Sequence, residues 1–512
     1  MSQVNNKRIF KNTAYLYVRM LLGLIVSLIT ARVILEALGV VDYGLNDVVG
    51  GMVTLFSFVG ATLSTSTSRF LSYSMGKNEE NRLTLIFSTA SYIHLVVAIL
   101  VVVFGETIGV YLVNQVLDIP DDRLFACNVL WQTVIAGAFV SIVQVPLSSL
   151  VISYESMNVY AYIGMFDIFA RLVIVYLVKY SPIDHLISLA FLNLLVCLLD
   201  ILFYVIYCKK HFPKIVSFTF KCDKGIRKSM LGFTGWNILG SLANMLRHSG
   251  ISILLNLFFG PIANAANAIA FRVNNAIMGF TSNFTTAVNP QITKSYAAGE
   301  LTDMKLLVFR AGKLTYYMLL FLCLPIIFEC DYILHLWLGN EIPEASIIMT
   351  RLVLVIAMVD SFTYSIGGAV LATGKIKDYQ LVISGIALLV FPLSWVLFKM
   401  GLPVYTGMVV YLICSIVALI VRLYFVKVLL LIPPKEYICK VFVKTITVTI
   451  LSLLAPFILS FVMDESAFKC MILIIVTEIL TVFLIWFLGL EKNEQSFVKD
   501  TIDVFIKRHV RH

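Results

Sequence analysis

Apolar runs of about 20 residues, each long enough to cross a hydrocarbon core of ~30 Å as a helix, recur fourteen times along this chain. Nothing else in the sequence restricts its fold as strongly. They lie at 14–36, 46–68, 85–112, 124–149, 159–179 and 183–207, then at 231–258, 263–288, 311–330, 347–372, 380–399 and 403–427, with two more at 440–463 and 468–490. Hydrophobic residues make up 60% of the 512, and charged residues only 13%. A water-soluble domain carries about 25% charged residues. A mean hydropathy of +0.92 spread along the chain leaves lipid as the main solvent. The predicted fold class is an all-α polytopic membrane protein with about fourteen transmembrane helices.

Lysine and arginine set the orientation. With the N-terminus inside, the inner segments hold 28 of the 39 basic residues, and the outer loops hold only Arg123, Lys179, Lys399 and Lys469. Cytoplasmic loops concentrate Lys and Arg, so both termini are expected inside. The same rule accounts for the net charge of +9, and no nucleic-acid partner is expected. The opening Met1–Arg8 with its apolar run is expected to be a retained first span, since no small-residue cleavage site follows.

The most basic run, from Lys209 to Lys228, separates two blocks of similar rhythm. The expected organisation is an N-terminal six-helix bundle (1–208), a basic cytoplasmic linker (209–230) and a C-terminal six-helix bundle (231–430). Helices 13 and 14 (431–490) and a cytoplasmic tail (491–512) follow. The linker is expected to fix topology and to permit motion between the bundles. An internal repeat supports the halves: Leu35 to Asn46, around Gly39, aligns with Asn256 to Asn267, around Gly260, at a single offset. Gly76 falls near Gly299 with a two-residue slip. Parallel repeats of this kind place a substrate site between them.

Polar residues form stripes on the first two spans of each half. In the second span Asn46, Asp47, Gly50, Thr54, Ser57, Ala61, Ser64 and Ser68 share one face. In the seventh, Asn237, Ser241, Asn244, His248 and Ser252 align beside Arg247. In the eighth, Asn264, Asn267, Asn274, Asn275, Ser282 and Thr285 align beside Arg272. Asn12, Tyr15, Arg19, Gly23 and Thr30 align in the first. Two readings stay open. Small and hydroxyl residues let helices pack closely. Asparagines with arginines suit a water-filled cavity.

An ionisable group at mid-membrane costs at least ~2.5–3.5 kcal/mol, so each needs a reason. Asp167 and Arg171 are spaced to pair within one helix, as are Arg32 and Glu36. Arg422 is expected to snorkel to the inner surface, and Arg351 to meet headgroups. Arg247 and Arg272 have no evident acid on their own helix. Asp200, Asp360 and Glu478 have no evident partner. Asp47, Asp200 and Asp360 are candidate ion-coupling groups. No Gly-x-x-x-x-Gly-Lys-Ser/Thr loop, metal-ligand spacing or nucleophile constellation occurs. Neither cofactor nor enzymatic activity is expected. The outer loops are too short for a folded catalytic domain, and His94, His185, His248 and His335 are dispersed, which counts against a membrane glycosyltransferase or polymerase.

Several segments carry a family likeness. They are Lys11-Asn-Thr-Ala-Tyr-Leu-Tyr17, then Ala31-Arg-Val-Ile-Leu-Glu-Ala-Leu-Gly39-Val-Val-Asp-Tyr-Gly-Leu-Asn46, then Ser68-Arg-Phe-Leu-Ser72. A first span leading into Leu-Gly-x-x-Asp-Tyr-Gly resembles the opening of bacterial polysaccharide flippases of the multidrug/oligosaccharidyl-lipid/polysaccharide exporter superfamily. Gly260-Pro through Asn289-Pro-Gln-Ile292 resembles the start of their second half. The resemblance implies two six-helix repeats in a V-shaped bundle, rocking by alternating access, plus two C-terminal helices. It implies an undecaprenyl-diphosphate-linked oligosaccharide moved from inner to outer leaflet of a bacterial cytoplasmic membrane, for O-antigen, capsule or exopolysaccharide synthesis. Arg19, Arg247 and Arg272 suit the diphosphate, Asn46, Asn244, His248, Asn267, Asn274 and Asn275 the sugars, and helices 13 and 14 the lipid tail. Membrane lipids and a polysaccharide polymerase complex are the implied partners. The alternative within the superfamily is a cation-coupled multidrug exporter, in which the deep acids bind.

Overall fold

The computed structural model describes residues 2–117, 119–216, 222–339, 342–463, 466–492 and 494–495. Within these ranges the side chains of 2–11, 28, 31–32, 35, 40, 47, 51–58 and 461 are not described. Every regular element among the described residues is helical. In order they are α1 (Ser2–Gly76), α2 (Glu80–Phe104), α3 (Leu124–Ser153), α4 (Met157–Lys179), α5 (His185–His211), α6 (Lys224–Ala297) and α7 (Leu301–Phe328). Then come α8 (Cys330–Leu338), α9 (Ala345–Thr373), α10 (Lys377–Lys399), α11 (Thr406–Leu430), α12 (Pro434–Tyr437), α13 (Val443–Ser452), α14 (Leu454–Val462) and α15 (Ala467–Leu484).

Eleven helices among the described residues are long and apolar enough to cross a membrane. One is α6, with 74 residues; straight, it would run ~110 Å, far beyond a ~30 Å core. It folds at Gly260 (φ 78°, ψ −172°) into the seventh and eighth expected spans. α1 folds at Gly39 (φ 75°, ψ 172°) into the first two. Taking α6 as two limbs brings the eleven to twelve, and the two limbs of α1, which is not among the eleven, stand where the first two of the fourteen expected spans lie.

The repeat is visible in where helices start. Leu301 follows Glu80, Ala345 follows Leu124 and Thr406 follows His185 at the same offset that separates Gly260 from Gly39. Lys377 follows Met157 one position short of it. The left-handed residue that ends the first long helix is Asn78 (φ 56°), and its counterpart at that offset is Gly299 (φ 81°). The slip expected at Gly76 is therefore absent. Asparagine, like glycine, adopts the left-handed conformation, so the turn is kept while the glycine is not.

The chain forms two compact units, Asn12–Ile238 and Met1–Lys11 with Leu239–His512. Each has its own core. In the first, Leu83, Ile86, Phe87, Leu150 and Tyr204 pack together. In the second, Leu254, Ala266, Met349, Val353 and Met408 do so. Polarity is inverted relative to a soluble protein. Ile420 is 62% exposed and Ile479 66%, whereas Thr350, Ser394 and Thr477 are fully buried. Lipid needs no polar surface, so hydroxyls can turn inward, and some, such as those of Thr315 and Thr445, donate to backbone carbonyls of their own helix. Ser64 Oγ lies 3.4 Å from Ser149 Oγ, and Ser153 Oγ donates to the Ser68 carbonyl at 3.2 Å. That part of the second-span stripe is packing.

The described part of the basic linker is anchored to the first unit. Thr84 Oγ1 donates to the Lys214 carbonyl at 3.1 Å, and the Asp223 N–H donates to Thr89 Oγ1 at 3.2 Å. Ile215, Val216, Ile226 and Met230 share the core of Leu83, Ile86 and Phe87. Residues 217–221, including Lys221, lie outside the described residues.

Irregularities have local causes. α2 continues through π-helical turns at Gly105–Gly109 and Leu112–Val116, and Trp131 Nε1 donates to the Gly105 carbonyl at 3.2 Å. Pro456 cannot donate to the Ser452 carbonyl, and the helix breaks at Leu453 between α13 and α14. Asp184 caps α5 by accepting from the Leu186 and Ile187 N–H groups at 3.0 and 3.1 Å.

Candidate functional site

In the N-terminal unit the second span, α3, α4 and α5 enclose a cavity of about 500 Å³. Asn46, Gly50, Gly60 and Ala61 come from the second span, Thr133 and Ser141 from α3, Arg171 from α4, and Asn193 and Cys197 from α5. Asn46 was expected at such a cavity. Thr133, Ser141 and Asn193 were not singled out, because one polar residue per helical face makes no stripe. Arg171 Nε donates to Asp167 Oδ1 at 2.9 Å, the expected same-helix pair. Asp200 lies beside both, and its buried Oδ1 has no hydrogen-bond partner. The Asp47 side chain lies outside the described side chains.

Arg19 sits on the ring of Tyr160, with its guanidinium carbon 4.7 Å from the centroid. Gly164 makes the room. A Cβ there would stand 2.5 Å from Arg19 Cδ and 2.7 Å from Nη1. A cation over an aromatic face is stabilised by ~0.5–2 kcal/mol, and no carboxylate pairs directly with Arg19 among the described residues.

In the C-terminal unit three spans bring Arg247 of α6, Asp360 of α9 and Arg422 of α11 together. Two cavities share Arg247, Asp360 and Tyr364 as lining. One, of about 200 Å³, adds Asn244, Thr363 and Arg422. The other, of about 120 Å³, adds Phe271, Asn274 and Tyr411. The partners missing from the sequence reading are thus supplied across helices. Arg422 has partners within the unit. Its Nε donates to Tyr379 Oη at 3.0 Å, and its charge faces Asp360. Arg247 lies on the Tyr411 ring, 4.0 Å from its centroid.

The other candidates scatter. Asn244 donates to the Gly240 carbonyl at 2.9 Å while lining the larger cavity. His248 packs edge-on against Phe271, ring centroids 4.0 Å apart. Asn267 is 2% exposed and donates to Ser252 Oγ at 3.0 Å, which ties the two limbs of α6 together beside the Gly260 kink. Arg272 and Asn275 are exposed and line none of these three cavities. Glu36 reaches Lys179 at 3.5 Å; the side chain of Arg32, its expected partner, is not described. Arg351 donates to the Ile327 carbonyl at 2.9 Å and so closes the end of α7.

At the other end of the N-terminal unit Arg123 forks between two acids. It contacts Asp42 through Nε at 2.8 Å and through Nη2, and Asp184 through Nη1 at 2.6 Å. Burial alone would raise the Asp184 carboxyl. The Arg123 hydrogen bond and charge and the Ile187 and Leu186 N–H groups outweigh it, and the carboxyl lies below the usual range.

No family model matches this chain, and no curated protein matches it in sequence. Solved structures do. A multidrug resistance MATE family transporter of the MOP superfamily, in an outward-facing conformation, has a TM-score of 0.70 at 14% identity, over 83% of this chain and 97% of that one. A point variant of a MATE protein has a TM-score of 0.71 at 13% identity, over 82% and 96%. A MOP superfamily transporter from Pyrococcus furiosus, for which a reverse polarity of the binding pocket suggests a different function, has a TM-score of 0.68 at 13% identity, over 81% and 96%. This chain therefore has the fold of MATE transporters of the MOP superfamily.

Proposed function

We propose that this protein is an alternating-access transporter whose substrate has an anionic head, and that the substrate is a polyprenyl-diphosphate-linked oligosaccharide moved to the outer leaflet. One observation carries the reading. Arg19 and Arg272, on the first two spans of their halves, have no direct ion pair among the described residues, and Arg247 shares the single carboxylate of Asp360 with Arg422, while the deep acid Asp167 is paired with Arg171. Guanidinium stays charged in a protein and matches phosphate oxygens in pairs. Positions rich in unmatched guanidinium favour an anion and repel a cationic drug. The asparagines and hydroxyls of both units can serve a sugar, and the prenyl chain can remain in lipid. A bacterial cytoplasmic membrane with both termini inside, and a polymerase partner, belong to the same proposal.

The second reading, a cation-coupled drug exporter, draws on the multidrug transporter among the structural neighbours. One experiment separates the two. The full chain is reconstituted in vesicles with a fluorescent short-chain polyprenyl-diphosphate glycan, and separately with a cationic dye. The proposal expects protein-dependent flipping of the glycan lipid, lost on combining Arg19→Ala with Arg272→Ala. Dye movement without glycan flipping would reverse the assignment.

A further inference from the structure

Arg247, Asp360 and Arg422 present an unbalanced charge. Two guanidinium groups face one carboxylate, and neither forms a direct ion pair with it among the described residues. Arginine cannot shed its proton to relieve burial. An unmatched charge in a low-dielectric interior is costly unless an ion or water meets it. The spare hydrogen-bonding capacity is on the donor side. Arg247 Nε is buried and has no acceptor. Arg422 spends its Nε on Tyr379 and lines the larger cavity. The Asn244 side chain adds polarity to the wall of the same cavity. That cavity, of about 200 Å³, is several times the ~30 Å³ share of one water.

The geometry points to a binding site for a compact inorganic anion, of the halide or phosphate class, between Arg247 and Arg422 in the C-terminal unit. Asp360 is its built-in competitor. The carboxylate addresses the same two cations and lines the same cavity, so it limits affinity and keeps occupancy reversible. The site holds whichever substrate the protein carries. The shared chemistry of a free anion and a lipid diphosphate is the reason to test both.

The test uses the full chain purified in detergent in a gluconate buffer. Chloride, inorganic phosphate, pyrophosphate and geranyl diphosphate are titrated separately, with the unfolding midpoint and calorimetric binding as readouts. Chloride or phosphate is expected to raise the midpoint saturably. Arg422→Gln should weaken that binding by about tenfold to a hundredfold, the loss of one charge-assisted contact. Asp360→Asn should tighten it, so a poorly folding arginine variant leaves a second readout of opposite sign. Three results would overturn the site. One is the absence of a saturable response to chloride or phosphate in both the parent and Asp360→Asn. The second is equal affinity in Arg422→Gln. The third is a response to pyrophosphate or geranyl diphosphate alone, which would give the pocket to the substrate head. Binding is read without transport, so failure of glycan flipping leaves this result standing.

Discussion

Gly39 and Gly260 occupy equivalent places in the two halves and hold the same backbone conformation, φ 75° with ψ 172° and φ 78° with ψ −172°. That region is open to glycine and strained for any other residue. It lets a helix of 75 or 74 residues fold into two crossings without an intervening loop. A Cβ at either position would meet no atom within 4 Å, so substitution strains the backbone and clashes with nothing. Gly39→Ala and Gly260→Ala should each cost about 1–3 kcal/mol, by similar amounts. Thermal unfolding in detergent reads this, and a neutral Gly260→Ala beside a damaging Gly39→Ala would show that the two kinks are not equivalent joints.

Those kinks, the spans and the repeat were legible because each is written locally. A crossing announces itself through its own hydropathy, and a fold point through its own glycine. The charge cluster of the C-terminal unit was not legible. Helical period says that Arg247, Asp360 and Arg422 lie within spans. Which faces of α6, α9 and α11 meet is decided by packing, which no local pattern encodes. Arg422 shows it: its place within a span was readable, but that Tyr379 and Asp360 face it was not. Arg272 shows the converse. Its stripe was visible, yet it lines none of the three cavities.

The Arg123 fork ties the segment after the Gly39 kink to the starts of α3 and α5. Asp184 has a depressed carboxyl pKa in the folded protein, so its stabilising contribution is complete above the unfolded carboxylate value near ~4. It is lost as pH falls through the lower folded value. The unfolding midpoint should therefore drop below about pH 4, and in Asp184→Asn that part of the drop should be gone. Arg123→Ala should lower the midpoint at neutral pH by leaving two acids facing each other. An unchanged acid profile in Asp184→Asn would assign the acid sensitivity elsewhere.

Glu494 and Glu491, just past the last span, reach back to α7 and α13. Lys313 Nζ lies 2.8 Å from Glu494 and 4.0 Å from Glu491, and Lys444 lies 2.9 Å from Glu491. The Lys313 side chain is only 3% exposed. Removing one partner of such a buried pair costs about 3–5 kcal/mol, because the remaining charge is stranded. Glu494→Gln should destabilise by an amount approaching that range, and Lys313→Met with Glu494→Gln should recover most of it. A double variant as unstable as the sum of its parts would mean that the pair is not coupled.

Gly164 offers a way to move Arg19 without removing its charge. In Gly164→Ala the new methyl group would overlap Arg19 Cδ and Nη1, at 2.5 and 2.7 Å. The flexible arginine yields more readily than the α4 backbone, so it should leave the face of Tyr160. If Arg19 meets the anionic head from that position, Gly164→Ala should lower glycan-lipid flipping toward the level of Arg19→Ala. Combining the two changes should add little, since both disable one group. The unfolding midpoint of Gly164→Ala serves as the control for folding. Flipping at the parental rate in a folded Gly164→Ala, with Arg19→Ala inactive, would separate the arginine's charge from its seat on Tyr160.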